Sequence, residues 1–133
     1  MEWAEVFAVF VVSHLVGDFA LQTDWQAVHK HGGLATGNAV GRTALLSHGL
    51  SYTLAFVPCL VWLAGGHGWS TAAIMAAITI PHVLQDDGRL LVQYMLRVKG
   101  CDPQTFPTVA LGLDQTLHLT ALLLLAIATG GAG

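Results

Sequence analysis

The stretch Val6-Phe7-Ala8-Val9-Phe10-Val11-Val12-Ser13-His14-Leu15-Val16-Gly17-Asp18-Phe19-Ala20-Leu21 decides the fold. It belongs to an apolar run of about 20 residues, the length that crosses a bilayer as a helix and more than a small soluble core hides comfortably. Within it stand a histidine and an aspartate four positions apart, which on a helix share one face. An apolar helix with one polar seam reads as a transmembrane element that turns the seam toward its neighbours. The preceding Met1-Glu2-Trp3-Ala4-Glu5 lacks the basic n-region of a signal peptide, so this helix is expected to be retained.

The rest of the chain repeats the pattern. Of its 133 residues 54% are hydrophobic and 10% charged, whereas soluble domains carry roughly a quarter charged residues. Hydropathy predicts an all-α, polytopic membrane four-helix bundle, one transmembrane domain covering 1–133. The spans are expected at about 3–22, 43–64, 69–88 and 108–128. A net charge of −3 with five scattered Lys and Arg offers no basic footprint, which excludes nucleic acid as a partner and leaves the lipid bilayer. Cys59 and Cys101 show neither disulfide-framework nor metal-motif spacing and read as bystanders.

Between the spans, the first loop is Gly-rich (His31-Gly32-Gly33, Thr36-Gly37-Asn38) and is the longest segment available to act as a lid. Gly65-Gly66-His67-Gly68 predicts a tight turn, and the third helix is expected to run on past the membrane through Arg89-Leu90-Leu91-Val92-Gln93-Tyr94-Met95-Leu96-Arg97. Lys30 and Arg42 lie in or beside loop one, and Arg97 and Lys99 in loop three. The positive-inside rule then places both loops in the cytoplasm. Trp3, Trp25, Trp62 and Trp69 fall near span ends, as interfacial anchors do.

Superposing the two helical hairpins aligns His14-Leu-Val-Gly-Asp18 with His82-Val-Leu-Gln-Asp86, and His48 with His118, at offsets of 68 and 70 residues. Two parallel hairpin repeats would set the two His-Asp helices opposite one another. Asp114 and His118 form a third pair at the same spacing. With about 1.5 Å of rise per residue, His14, Asp18, His48, His82, Asp86, Asp114 and His118 all fall in the half of the membrane nearer loops one and three. Each ionised Asp at the bilayer centre costs about 2.5–3.5 kcal/mol, so three of them require compensation. Arg42 and Arg89 sit near span ends, free to reach the interface. A divalent metal neutralises carboxylates directly, and imidazole with carboxylate suits zinc, with manganese or iron as alternatives. Seven candidate ligands are enough for two ions.

A plainer account applies to any one pair: an intrahelical His-Asp hydrogen bond that glues helices together. Three pairs and His48 at one depth favour a metal or proton-handling site instead. Asp87 points about 100° from Asp86 and reads as a helix end. His29, His31 and His67 have no carboxylate at helical spacing and read as solvated loop residues. Tyr52, four residues after His48, either bonds into the site or simply packs.

The strings His14-Leu-Val-Gly-Asp18-Phe-Ala-Leu-Gln22-Thr23-Asp24-Trp25, Ser47-His48, His82-xxx-Asp86 and Asp114-Gln115-Thr-Leu-His118 together resemble a bacterial integral-membrane family, domain of unknown function 3307. The resemblance covers most of the chain and implies an integral protein of the bacterial inner membrane, without supplying an activity. That family often carries a basic residue a few positions after the third-helix motif, where Arg89 stands. A more distant analogy, carried only by the His-xxx-Asp spacing, links the chain to membrane-bound metal-dependent hydrolases and all-helical zinc phosphoesterases.

These readings lead to a membrane-embedded metal-dependent hydrolase acting on a lipid or lipid-linked phosphoester near the cytoplasmic leaflet. Six of the seven residues are expected as ligands, Asp114 as ligand or general base, and Arg42 and Arg89 as phosphate holders. Ser13, Ser47 and Ser51 lie in no nucleophile-elbow pattern. One alternative is transport or sensing of a divalent ion or proton, which four helices would serve best as an oligomer. Another is a small accessory subunit whose polar pairs specify packing.

Overall fold

The computed structural model describes residues 1–67 and 70–130, the side chains at 66 and 67 excepted. The expectations for Trp69 as an anchor and His67 as a solvated residue lie outside that description. Six α-helices appear among the described residues: α1 Trp3–Leu15, α2 Asp24–His29, α3 Ala39–His67, α4 Ser70–Asp86, α5 Arg89–Tyr94 and α6 Pro107–Thr129. Wider π-helical turns, Val16–Ala20 and Met95–Lys99, extend α1 and α5.

Local chemistry sets the helix starts. Glu2 and Glu5 form a reciprocal capping box ahead of α1, and Thr23 and Gln26 do the same for α2, where the Gln26 amide donates to Thr23 Oγ1 at 3.2 Å and the Thr23 amide to Gln26 Oε1 at 2.9 Å. Pro107 opens α6 at a position that needs no N–H partner.

Among the described residues, three helical stretches are long and apolar enough to cross a membrane: Trp3–Ala20, Ala39–Gly65 and Pro107–Thr129. They correspond to the first, second and fourth expected spans. The remaining expected span, at 69–88, is α4, whose 17 described residues reach about 25 Å at 1.5 Å each. Two other expectations are corrected. Gly65-Gly66 does not form a tight turn, because α3 continues through both to His67. Nor does the third helix run on: Gly88 takes φ +76°, a left-handed conformation that stops α4 and starts α5 in a new direction.

α1 packs on α3 and α6, and α4 packs on the same two helices, which sets α1 and α4 across a diagonal of a four-sided bundle. One half of its interior is dry, filled by Val6, Phe10, Phe56, Leu63, Leu122 and Ala126. Outward, Val12, Leu50, Val61 and Leu124 lie exposed, an apolar exterior that suits lipid. α1 and α3 approach closely at Gly17, where a Cβ would meet Tyr52 Cδ2 at 2.6 Å.

Candidate metal centre

Above the dry half, the bundle interior turns polar. His14, Asp18, His48, His82, Asp86 and His118 are all buried there, with Asp114 half-buried beside them. The diagonal arrangement brings the two His-Asp helices face to face, so that His82 Nε2 lies 3.3 Å from its own Asp86 Oδ2 and 3.6 Å from Asp18 Oδ1 on the opposite helix. His48 Nε2 sits between the carboxylates, 3.2 Å from Asp18 Oδ1 and 2.9 Å from Asp86 Oδ2, and 3.1 Å from His82 Nε2. Asp18 belongs to the π-helical turn, whose Leu21 amide reaches back to the Val16 carbonyl at 2.9 Å. Such widened turns re-aim side chains and recur at functional sites.

Among the described residues, two groups of side chains each converge closely enough that they could share one ion. The first is Asp18, His48, His82 and Asp86; the second is Asp86, Asp114 and His118. Asp86 belongs to both.

The hydrogen-bond pattern fits a cation at this centre. His118 Nδ1 lies 2.8 Å from the Asp114 carbonyl, which can only accept, so Nδ1 carries the proton. In the neutral ring Nε2 then holds a lone pair, and it has no hydrogen-bond partner among the described residues although Asp86 Oδ1 is 3.3 Å away. A lone pair facing a carboxylate oxygen is two acceptors in want of a cation, and a ring fixed by a carbonyl on its far nitrogen is the usual arrangement of a ligating histidine. His48 Nε2, with one proton at most, faces two carboxylates and another imidazole.

His14 lies outside both groups. Its Nε2 donates to Gln115 Oε1 at 3.0 Å, the Tyr52 hydroxyl donates to its Nδ1 at 3.0 Å, and Asp18 Oδ2 is 3.7 Å away. Tyr52 also stacks flat on His82, with ring centroids 3.4 Å apart. It therefore couples the two histidines that the hairpin superposition pairs. Gln115 turns its amide nitrogen to Asp114 Oδ2 at 3.4 Å and Asp18 Oδ2 at 3.5 Å.

Loop one contributes a residue that spacing did not single out for the site. Lys30 is buried, and its Nζ donates to Asp86 Oδ2 at 2.7 Å. Of the chain's basic side chains this one, rather than Arg42 or Arg89, reaches the cluster. Arg42 is exposed on the first turns of α3, and the exposed Arg89 bonds to Asp87. Asp87 ends α4 as expected, but it is buried and holds loop one, its carbonyl accepting from the Gly32 amide and its Oδ1 from the Leu34 amide, both at 2.8 Å. His29 and His31 are exposed. A cleft of about 270 Å³ opens beside the cluster, with Asp18, Gln22, Lys30, His31, Asp114 and Gln115 as its polar wall and Phe19, Leu91 and Leu111 among its apolar lining.

This helical bundle with a buried histidine-aspartate cluster matches, over residues 6–132, the family described as protein of unknown function (DUF3307). The chain belongs to that family. No curated protein and no solved structure matches it.

Proposed function

We propose that the chain is a membrane-embedded, metal-dependent hydrolase of a lipid or lipid-linked phosphoester at the cytoplasmic leaflet. The observation that carries this reading is Asp86, shared by two donor groups whose other aspartates, Asp18 and Asp114, line an open cleft. His48, His82, Asp18 and Asp86 would hold one divalent ion, and Asp86, Asp114 and His118 a second, with zinc the first choice for such nitrogen and oxygen donors.

Ions held there supply Lewis acidity toward a phosphoryl oxygen and make water a ready nucleophile near neutral pH. The protein's own residues do the rest. Asp114, the most accessible of the three aspartates, stands at the cleft wall, where it serves either as a ligand of the second ion or as the base that takes a proton from attacking water. Gln115 and Tyr52 fix His14, which packs at 5.4 Å on His118 and braces it. The dry core of Phe10, Phe56, Leu63 and Leu122 closes the far side.

That closure favours an enzyme open on one side over a transporter, which needs a continuous polar path through the bundle. The test is turnover in sealed proteoliposomes loaded with zinc. Phosphate release from a phosphatidate or prenyl-phosphate substrate without zinc flux supports the hydrolase. Zinc flux without release of phosphate would establish transport instead.

A further inference from the structure

We infer that Lys30 is the anion-binding residue of the cleft, a tethered cation that yields Asp86 to metal and then receives the phosphate of an amphiphilic substrate. The inference rests on the metal centre proposed above and goes beyond it by naming the residue that selects the substrate.

Three observations converge on Lys30. Its Nζ sits 2.7 Å from Asp86 Oδ2, the same oxygen that lies 2.9 Å from His48 and 3.3 Å from His82. Ammonium and divalent ion therefore compete for one acceptor, and a carboxylate oxygen engaged by a divalent ion no longer needs the lysine. Second, Lys30 also lines the cleft. Its flexible four-carbon stem lets the ammonium swing while the backbone stays in place. Third, that backbone is pinned on both sides. The Lys30 amide closes the last turn of α2 on the Gln26 carbonyl at 3.0 Å, the Gln26 side chain bonds to Ser47 Oγ on α3 at 3.1 Å, and the Gly32 amide is held by Asp87. Gln22, with its amide oxygen facing Nζ at 2.9 Å and its nitrogen facing the Asp18 carbonyl at 3.0 Å, is a second acceptor for the ammonium that stays in place once Asp86 is engaged elsewhere.

The lining of the cleft indicates what the freed ammonium meets. Phe19, Leu91 and Leu111 give it an apolar side, while Lys30 and His31 stand on its polar side with Gln22, Gln115 and the carboxylates Asp18 and Asp114, which belong to the two donor groups and would face the ions. A phosphate carried on an acyl or prenyl chain matches both, and inorganic phosphate matches only the second.

The experiment compares wild type, Lys30→Met and Lys30→Arg in phosphatidylcholine nanodiscs by titration calorimetry. One arm titrates zinc into metal-free protein; the others titrate dihexanoyl phosphatidate, as its non-hydrolysable phosphonate analogue, and inorganic phosphate into the zinc-loaded form. The expected result is that Lys30→Met binds zinc at least as tightly as wild type but phosphatidate about 10-fold more weakly, the loss of one charge-assisted hydrogen bond. Lys30→Arg should keep phosphatidate affinity within about 3-fold, since the charge and donors remain. A matching loss for inorganic phosphate would support the anion site, and wild type that binds inorganic phosphate as tightly as phosphatidate would overturn the amphiphilic assignment. Equal phosphatidate affinity in wild type and Lys30→Met, or weaker zinc binding in Lys30→Met, overturns the inference while leaving the metal centre standing. No zinc binding to wild type overturns both.

Discussion

His118 presents Nε2 to Asp86 Oδ1 at 3.3 Å while its Nδ1 proton is committed to the Asp114 carbonyl. The two facing acceptors could hold a cation between them, and since Asp86 also faces His48 and His82, the same carboxylate serves both donor groups across the bundle diagonal. In the proposed metal centre, helix packing and ion binding are coupled through this carboxylate.

Metal should therefore stabilise the fold. At a free zinc concentration about 100 times Kd, linkage adds about 2.7 kcal/mol, and chelation should lower the unfolding temperature in detergent correspondingly. Because protons compete for the same imidazole nitrogens and carboxylate oxygens, zinc affinity should fall as pH is lowered. Calorimetric titrations at several pH values check this, and affinity that rises on acidification would contradict it.

Tyr52→Phe removes the hydroxyl that donates to His14 Nδ1 but keeps the stack on His82. It should cost about 1 kcal/mol in reversible unfolding and weaken zinc binding about 10-fold, as loss of a supporting hydrogen bond does. Unfolding in mixed micelles and zinc titration read the two effects separately. An unchanged zinc affinity would remove Tyr52 from the support of the centre.

Gly17→Ala should destabilise by about 1–3 kcal/mol, because its Cβ falls 2.6 Å from Tyr52 Cδ2 and 3.3 Å from the Tyr52 Cα. Gly112→Ala in α6, where a Cβ meets nothing within 4 Å, is the matched control and should be neutral or mildly stabilising. Equal stabilities for the two variants would show that α1 and α3 are not in such close register.

Asp87→Ala deletes the acceptor for the Leu34 amide and the partner of Arg89. Hydrogen exchange at Leu34 should quicken about 10-fold, while amides in the middle of α3 keep their protection. Unchanged exchange at Leu34 would mean that Asp87 does not anchor loop one.

Much of this arrangement is legible in the sequence because helical spacing carries it. His14 with Asp18, His82 with Asp86 and Asp114 with His118 declare shared faces, and the hairpin superposition anticipates α1 across from α4. Lys30 was illegible as a site residue for the opposite reason. It lies at the end of a six-residue helix in a loop, where no periodicity says that its side chain turns inward. The break at Gly88 and the continuation of α3 through Gly65-Gly66 were equally hidden, since glycine permits both a turn and a helix and only tertiary packing selects between them. His14 shows a third limit. Spacing places it beside Asp18, but its partners Tyr52 and Gln115 come from 38 and 101 residues away and take up both ring nitrogens.

The measurement that reaches the central claim most directly is metal content per protomer, by mass spectrometry of detergent-purified protein reconstituted with zinc, manganese or iron, for wild type beside Asp86→Asn. Asp86 belongs to both donor groups, so wild type should hold about two ions and Asp86→Asn fewer than one, with the helical circular dichroism preserved. Wild type with no metal above background after reconstitution, or Asp86→Asn with its metal intact, would contradict the account.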